Sequence, residues 1–389
     1  MKKVLILYKF LPQYRVEFFD MLRNELFKHN IELNLVYGKN KNANALKNDE
    51  EDLAWGHYVP NKIIRIGKNE LLWQPVFKYL KGHDLVIVEQ ANSLLINYYL
   101  MAVRHLGHFK LAMWGHGRNM QDQISSLKNR YKYLFIRSCD WWFAYTDGVK
   151  NTLISHHYPA EKITIVQNAI NTALLRKQYR EVTQDEVDAL KKDLGIQSNN
   201  IGIYCGGMYS DKRLAFIVEV IEKVKIEIPD FHMIFLGSGV DAYKAAQAAE
   251  KHSWIHYPGP KFGKERVKYF KLASIQIMPG AVGLGILDSF ALETPIVTTC
   301  HPCHGPEIGY LENNINGIIT NDDFDEYVDA VIDVLKTKQY EQLIIGCRVS
   351  AGVYTIEKMV SNFTSGVLSC ININEEKTLP RYIKSVRAS

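Results

Sequence analysis

Two kinds of segment alternate along the first half of the chain: short apolar runs, and longer stretches with an apolar residue every three or four positions. Residues 3–8 are almost continuously apolar, as expected of a parallel strand buried on both faces. Residues 15–29 place Phe19, Leu22 and Leu26 at helical spacing. The same criteria predict a helix at 92–105 and further strands at 31–37, 85–88, 109–114, 141–145 and 163–166.

The pattern restarts after a polar, charged stretch at about 174–199, which contains helical pieces and is interpreted as the connection between two domains. It predicts strands at 201–205, 232–236, 275–278 and 296–299, and helices at 214–228, 242–252, 285–292, 325–336 and 340–362. Strands that alternate with helices indicate right-handed crossovers and parallel sheets. We therefore predict an α/β protein of two doubly wound, Rossmann-like domains that face each other across a cleft. The predicted domains are 1–175 and 176–355, and 356–389 is expected to be a helix returning to the first domain plus a polar tail.

Composition agrees with a globular protein of two domains. The chain has 389 residues, 47% hydrophobic and 23% charged, and no apolar run reaches the roughly 18 residues that span a bilayer. Its six cysteines are irregularly spaced, which favours reduced thiols and a cytoplasmic location.

Charge is divided unevenly between the two halves. Residues 1–178 carry 25 Lys and Arg against 15 Asp and Glu (+10), and the remainder carries 22 against 27 (−5), which together give +5. The basic half predicts an anionic partner on the N-terminal side, and a chance difference between two surfaces is the alternative. No nucleic-acid partner is expected.

The strongest candidate for chemistry is the glycine-rich loop after the strand at 275–278. Small residues fill it, and a helix begins near Ile286 with Asp288 in its first turn. Small residues let a ligand approach the backbone, and amides at a helix N-terminus favour a diphosphate. Asp288 is a candidate acceptor for ribose hydroxyls. Taken alone, the loop is more typical of a tight strand-to-helix turn.

A second loop, at 206–213, strengthens the prediction. It begins with Gly206 and Gly207 and ends with Lys212 and Arg213 just before a helix, where cations are disfavoured unless an anion is held there. Both loops follow strands, so both are expected at the ligand-binding edge of the second sheet. Lys212 is suited to neutralising a diphosphate leaving group.

These stretches together resemble the retaining glycosyltransferases of family four, which have the GT-B fold. The matching segments lie in both predicted domains and follow the family's order: 143–149, 165–171, 206–214, 235–239, 283–299, 305–308 and 316–317. The resemblance implies a cytoplasmic enzyme of polysaccharide biosynthesis that transfers a sugar from a nucleotide-diphosphate sugar with retention of configuration. The N-terminal domain would bind the acceptor and the C-terminal domain the donor.

The resemblance assigns donor-site roles with two departures from the family pattern. Its phosphate-binding lysine falls on Lys212, but the partner arginine falls on Gly207. Its two glutamates fall on Gly280, which has no carboxylate, and on Asp288, which keeps one for ribose. Glu307 resembles a glutamate that can compensate. Donor phosphate contacts are thus expected at Gly207, Lys212, Gly283, Leu284 and Gly285, and donor-sugar contacts at Gly280, Ala281, Val282 and Glu307.

On the N-terminal side the resemblance singles out His116 as the candidate catalytic residue, because in the family this histidine lies beside the transferred sugar. His116 stands between Gly115 and Gly117 at the end of a strand, where functional loops concentrate. Arg118 is a further candidate for contact with the acceptor. Lys9 and Arg15 occupy the place of the family's usual glycine pair and are candidates for acceptor or phosphate contacts.

Three motifs that are typical of a dinucleotide or metal site are interpreted otherwise. Gly237 and Gly239 form part of a GxGxxA pattern, but no acidic residue follows at dinucleotide spacing, so they are assigned to the nucleotide base. Residues 300–304 contain two Cys and two His, without the second pair that a structural zinc site needs. The acidic residues at 322–326 are read as a helix cap. No metal and no cofactor are therefore expected.

The acceptor is expected to be a glycan or a lipid-linked sugar. Residues 123–137 read as a helix with Lys128, Arg130, Lys132 and Arg137 around apolar positions, which fits either an ordinary surface helix or contact with an anionic membrane at its inner face. Two other functions stay open. One is a nucleotide-sugar epimerase of the same fold, with Glu89 as its candidate acid–base group, and the other is a nucleotide-sugar-binding protein without catalysis.

Overall fold

Parallel sheets form the centres of the two units into which the chain divides. The computed structural model describes residues 1–39, 51–67, 69–106, 108–116, 135–337 and 339–372. Among these, the first unit takes the residues up to 167 and those from 357 onward, and the second takes 168–356. The predicted boundaries lie at 175/176 and 355/356.

The sheet of the first unit has, within the described residues, seven parallel strands in the order β3-β2-β1-β6-β7-β8-β9. They are β1 (Lys2–Tyr8), β2 (Ile31–Tyr37), β3 (His57–Tyr58), β6 (Leu85–Glu89), β7 (Lys110–Gly115), β8 (Trp141–Ala144) and β9 (Ile163–Ile165). The antiparallel strands β4 (Lys62–Ile66) and β5 (Asn69–Trp73) form a separate hairpin. The helices described before residue 168 are α1 (Gln13–Lys28), α2 (Phe77–Leu80), α3 (Leu95–Val103) and α4 (Asp147–Ser155).

The sheet of the second unit has six parallel strands in the described residues, in the order β12-β11-β10-β13-β14-β15. They are β10 (Ile201–Cys205), β11 (His232–Leu236), β12 (Ile255–His256), β13 (Ile275–Ile277), β14 (Ile296–Thr299) and β15 (Gly317–Thr320). The helices that follow residue 168 are α5 (Thr172–Glu181), α6 (Gln184–Asp193), α7 (Leu214–Glu227), α8 (Ala242–Lys251), α9 (Gly263–Leu272), α10 (Gly285–Ala291), α11 (Phe324–Lys336), α12 (Gln339–Val353) and α13 (Ile356–Asn372).

Both strand orders reverse at an interior strand, between β1 and β6 and between β10 and β13, as in Rossmann-like sheets. The predicted fold class, two doubly wound α/β domains, is confirmed. The apolar run of β1 is buried, as predicted: Val4 and Leu5 have no exposed surface. Within the described residues, no helix combines the length and hydrophobicity that crossing a lipid bilayer requires.

The helical pieces predicted within the polar stretch 174–199 are α5 and α6. Two features differ from the prediction. The stretch predicted to be helical at 340–362 is two helices, which break at Tyr354 and Thr355. The β4–β5 hairpin is absent from the prediction. The helix predicted at 123–137 falls mostly, with Lys128, Arg130 and Lys132, outside the described residues.

The last helix, α13, belongs to the core of the first unit. Its Phe363 stacks on Phe143 of β8 with ring centroids 4.2 Å apart and packs edge-on against Trp114 of β7 at 5.1 Å. Near its end, the Cys370 carbonyl accepts a hydrogen bond from Lys110 Nζ. The far C-terminal segment of the chain thus completes an N-terminal sheet.

Candidate active site

Four loops of the second unit follow strands β10, β11, β13 and β14 and so lie at the carboxyl edge of one parallel sheet. These are loops 206–213, 237–241, 279–284 and 300–307. This edge is where doubly wound sheets bind ligands. Every donor-site residue predicted from the sequence lies on one of these loops or in the first turns of α10.

Loops 206–213 and 237–241 are joined through their backbones. The Met208 amide donates to the Ser238 carbonyl at 2.9 Å. A Cβ on Gly237 would lie 1.9 Å from the Gly206 oxygen, and one on Gly239 would lie 2.2 Å from the Met208 oxygen. Both glycines also have positive φ, 141° and 156°. Gly237 and Gly239, which are predicted to contact the nucleotide base, are therefore required because the backbones of the two loops approach too closely for a side chain.

Loops 206–213 and 279–284 are joined in the same way. The Ala281 amide donates to the Asp211 carbonyl at 2.8 Å, and Lys212 Nζ donates to the Ala281 carbonyl. A Cβ on Gly280 would lie 2.3 Å from the Asp211 oxygen and 2.7 Å from the carbonyl carbon of Lys212. A side chain at position 280 is therefore incompatible with this packing, and the donor-sugar contact at Gly280 stays a prediction for its backbone groups.

The other position at which the chain departs from the resembled family is Gly207. A Cβ on Gly207 would lie 2.5 Å from the ring of Tyr209, so this ring fills the space beside the glycine. The Gly207 carbonyl accepts a hydrogen bond from the Tyr204 hydroxyl at 2.7 Å. Only backbone groups of Gly207 remain for the predicted phosphate contact.

The cation next to Lys212 is engaged elsewhere. Arg213 adopts a left-handed backbone conformation (φ 57°) immediately before α7, and its guanidinium pairs with Asp322 and lies 4.1 Å from the ring centroid of Phe216. Asp322, which the sequence analysis treated as part of a helix cap, is thus the ion-pair partner of Arg213. Lys212 is the cation of this loop that lies against loop 279–284.

The first N–H groups of α10 are unpaired within the described residues. Gly283, Leu284 and Gly285 are half-buried, and their N–H groups have no acceptor within the described part of the chain. Such N–H groups carry partial positive charge at a helix N-terminus. Together with Lys212, they give this edge of the sheet the donors and the charge that an anion requires.

Asp288 lies one turn further along α10 and makes a contact that the sequence analysis missed. Arg266 of α9 donates to both of its carboxylate oxygens, at 2.9 and 3.1 Å. Asp288 is 7% exposed. Burial raises the pKa of Asp288 and the guanidinium opposes that rise, while Asp288 raises the pKa of Arg266. A carboxylate oxygen can accept more than one hydrogen bond, so the pair leaves capacity for a ribose hydroxyl.

Loop 300–307 is attached to loop 279–284 by a histidine. His304 Nε2 lies 2.7 Å from the Thr299 carbonyl and Nδ1 lies 3.0 Å from the Val282 amide. Because a carbonyl only accepts and an amide only donates, Nε2 carries the proton and Nδ1 is bare. Burial lowers the pKa of His304, which favours this neutral form. The histidine therefore positions the glycine-rich loop.

Glu307 is buried beside loop 279–284. Its Oε2 atom lies close to two glycines: a Cβ built on Gly305 would be 2.6 Å from this oxygen, and a Cβ built on Gly283 would be 3.9 Å from it. The other oxygen, Oε1, accepts a hydrogen bond from Asn168 Nδ2. The Asn168 carbonyl in turn accepts from the Tyr310 hydroxyl at 3.2 Å. Glu307 thus brings a carboxylate next to the predicted donor loop, and Asn168, which the sequence analysis did not assign to the site, positions it.

The first unit has its own polar cluster at the carboxyl ends of β1, β6 and β7. Lys9 follows β1, and its backbone N–H donates to the side chain of Glu89, the last residue of β6. Burial raises the pKa of Glu89 to about 7, against the opposing effects of Lys9 and Arg15. Burial also lowers the pKa of Lys9. His116 follows β7 and lies 4.6 Å, between ring centroids, from Tyr145.

Arg15 is buried in the first unit. Its side chain is 1% exposed and lies among Tyr14, Phe18 and Trp114, with its guanidinium carbon 5.0 to 5.7 Å from their ring centroids. Its Nη1 also lies 3.4 Å from the sulfur of Met359 in α13. These contacts give Arg15 a role in packing, and its contact with the acceptor or a phosphate stays a prediction. Arg118 lies outside the described residues.

Comparison with known proteins identifies one matching family model and several similar solved structures. Residues 199–337 match the family model of the glycosyl transferases group 1. No curated protein matches the sequence.

Among solved structures, HepE from Anabaena in complex with UDP has a TM-score of 0.69 and 12% identity, covering 95% of this chain and 100% of that chain. A glycosyltransferase from Rickettsia africae has a TM-score of 0.68 and 15% identity, covering 96% and 99%. The lipopolysaccharide outer core galactosyltransferase WaaB, in its apo form, has a TM-score of 0.63 and 14% identity, covering 94% and 99%.

At these identities the structural likeness is one of fold. The family match spans β10 to α11 and includes Lys212, Asp288 and Glu307. The chain therefore has the fold of the GT-B glycosyltransferases, and its match to the glycosyl transferases of group 1 lies in the unit that holds the four joined loops.

Proposed function

We propose that this protein is a glycosyltransferase that moves a sugar from a nucleotide-diphosphate sugar to a glycan or lipid-linked acceptor, with retention of configuration. One observation carries the proposal. Lys212 lies against loop 279–284, and this loop ends at the half-buried residues 283–285, where α10 begins. A cation and backbone N–H donors therefore occur together at the carboxyl edge of the sheet. The family match over the same unit supports it.

The proposed chemistry follows from these groups. When the bond between the anomeric carbon and the diphosphate breaks, negative charge grows on the diphosphate and the sugar gains oxocarbenium character. Fixed donors aimed at the leaving oxygen stabilise that charge without reorganisation. Lys212 and the amides of Gly283, Leu284 and Gly285 are assigned this role. They would take the place that a divalent ion has in metal-dependent enzymes.

The remaining residues are assigned to recognition. Asp288 would accept from the ribose, and Arg266 would hold its carboxylate in place. Glu307, fixed by Asn168, would supply the sugar-hydroxyl contact that Gly280 does not offer. In the first unit, Lys9 is assigned to the acceptor side and His116 to catalysis.

Nucleotide release tests the proposal. UDP-glucose is the first donor to try, because HepE has been crystallised with UDP and with UDP-glucose. Other nucleotide sugars, ranked by thermal shift, follow. We expect UDP release that a glycan or lipid-diphosphate-linked sugar accelerates, that survives EDTA, and that gives a product of unchanged anomeric configuration by NMR. Absence of both a thermal shift and nucleotide release across the donor panel would refute the proposal, and activity that EDTA abolishes and Mg²⁺ restores would refute its metal-free form.

A second candidate, a nucleotide-sugar epimerase, is favoured by one observation. A carboxyl group whose pKa is near 7 suits acid–base catalysis at neutral pH, and Glu89 is such a group. The epimerase predicts an epimerised sugar and free nucleotide in the absence of any acceptor, and loss of both in Glu89→Gln. A transferase predicts that Glu89→Gln retains nucleotide release.

A further inference from the structure

The β4–β5 hairpin of the first unit presents an apolar face to solvent. In its register Ile64 pairs with Leu71 and Lys62 pairs with Trp73. Because side chains alternate across a strand, these residues and Ile66 share one face. Ile64 is 42% exposed and Ile66 is 61% exposed.

The opposite face of the hairpin is attached to the unit. Leu72, paired with Ile63, is buried, and its amide donates to the Ser93 carbonyl at 2.7 Å. Leu72 also bridges to Leu94, next to the start of α3. The hairpin is therefore fixed along one side, and its exposed face has a defined orientation.

Aromatic rings extend the exposed face beyond the hairpin. The ring of Trp73 lies 5.6 Å from that of Phe77, and Phe77 meets Tyr99 of α3 edge-on at 4.9 Å. Phe77 is 45% exposed and Tyr99 is 40% exposed. The apolar face is defined here as Ile64, Ile66, Leu71, Trp73, Phe77 and Tyr99.

Cations accompany the apolar face. Residues 57–81 contain five lysines and arginines and one acidic residue, Glu70, which pairs with Arg65. Lys62 lies on the apolar face itself, opposite Trp73, and Lys78 and Lys81 are exposed beside Phe77 in the sequence. The region therefore combines exposed apolar side chains with net positive charge.

We propose that this apolar face docks the protein on the surface of an anionic lipid bilayer. Tryptophan and tyrosine favour the membrane–water interface, aliphatic side chains gain free energy by entering it, and lysine stems reach back to the headgroups. Each cation near an anionic leaflet adds attraction that salt weakens. A second copy of the chain suits the surface less well, because it would bring the same net positive charge to the contact. The docking surface does not depend on the proposed catalytic function.

Vesicle binding tests the proposal. The full chain is sedimented with phosphatidylcholine vesicles and with vesicles that also contain phosphatidylglycerol, at low and high salt. We expect binding to the anionic vesicles, and we expect salt to weaken it. In Ile64→Ser/Ile66→Ser the affinity for these vesicles should fall by at least about tenfold, because two aliphatic side chains are no longer buried in the bilayer. The matched control is Ile226→Ser/Phe262→Ser, which removes exposed apolar side chains of the second unit that are 69% and 76% exposed.

Tryptophan fluorescence locates the contact. Brominated lipid should quench part of the emission, and the quenched part should be absent from Trp73→Phe. The proposal is overturned by absence of binding to anionic vesicles, by equal binding of the two double variants, or by quenching that Trp73→Phe leaves unchanged. A soluble oligomer that dissociates in Ile64→Ser/Ile66→Ser while vesicle binding is absent would show instead that the face joins two copies. Circular dichroism and nucleotide release of each variant establish separately that it is folded.

Discussion

Arg266 and Asp288 form a two-point ion pair that joins α9 to α10 in the second unit, with Nη2 and Nη1 of the arginine 2.9 and 3.1 Å from the two carboxylate oxygens. The side chains are 24% and 10% exposed. This pair fixes the carboxylate assigned to the ribose, so the loss of either partner is expected to affect both folding and donor binding.

The first prediction concerns this pair. Arg266→Leu leaves Asp288 buried without its counter-charge, and we expect the free energy of unfolding to fall by about 3 kcal/mol. Arg266→Leu/Asp288→Leu, which removes both charges, should recover much of that loss. Urea unfolding of the three proteins measures this. The exposed pair Lys251–Glu222 is the control, since its disruption by Lys251→Ala should change stability little. Equal stability of Arg266→Leu and the wild type would contradict the prediction.

The second prediction concerns Lys212. Lys212→Ala should lower the turnover number by about 100-fold or more, because a charge that meets the leaving diphosphate is lost, and should leave the melting temperature almost unchanged. Steady-state nucleotide release and a thermal melt measure the two quantities. Lys251→Ala removes a lysine from the same unit and should leave turnover as it is. Undiminished turnover in Lys212→Ala would rule out the phosphate role.

The third prediction concerns Gly280. Because a Cβ there meets backbone atoms of Asp211 and Lys212, Gly280→Ala should separate loops 206–213 and 279–284, lowering stability by about 1–3 kcal/mol and reducing turnover. Gly280→Glu restores the carboxylate of the resembled family, yet it should be less active than the wild type. Gly352→Ala is the control, since a Cβ at Gly352 meets no atom within 4 Å. A Gly280→Glu variant as stable and as active as the wild type would disprove the steric argument.

The fourth prediction concerns pH. The pKa of Glu89 is about 7 in the folded protein and about 4.3 in an unfolded chain. Its protonated form therefore favours folding, and this contribution is present below pH 4 and is lost as pH rises through 7. Glu89→Gln stays neutral, so its melting temperature should exceed that of the wild type at pH 8, with a smaller difference at pH 5. Glu161→Gln, an exposed glutamate of the same unit, should show no such trend. A pH-independent difference for Glu89→Gln would exclude the raised pKa.

Sequence reasoning located the candidate site because parallel strands bring their carboxyl ends to one edge. Lys212 and Ala281 are 69 residues apart, yet both follow buried apolar runs, and this was enough to predict that their loops meet. Glu307 was assigned to this neighbourhood by the family resemblance and not by the strand pattern. The apolar pattern of each strand is a local signal. In a doubly wound sheet, however, it determines which loops lie at the same edge.

Other contacts had no such signal. Arg266 reaches Asp288 from an adjacent helix, and nothing in the spacing of its own helix marks it as a partner. The ring of Tyr209 fills the space beside Gly207 through the local path of its loop. The β4–β5 hairpin was missed because its strands leave one face exposed, so they lack the continuous apolar run by which the buried strands were recognised.

The position of α13 has a consequence for the order in which the chain is assembled during translation. Phe363 completes the packing around Phe143 and Trp114, but it is synthesised after all of residues 168–356. The second unit is therefore synthesised in full while the first, although begun earlier, still lacks part of its core. A chain truncated just before α13 would carry a complete C-terminal unit and an incomplete N-terminal one. The aromatic surface around Phe143 and Trp114 would stay open to chaperones until α13 packs against it.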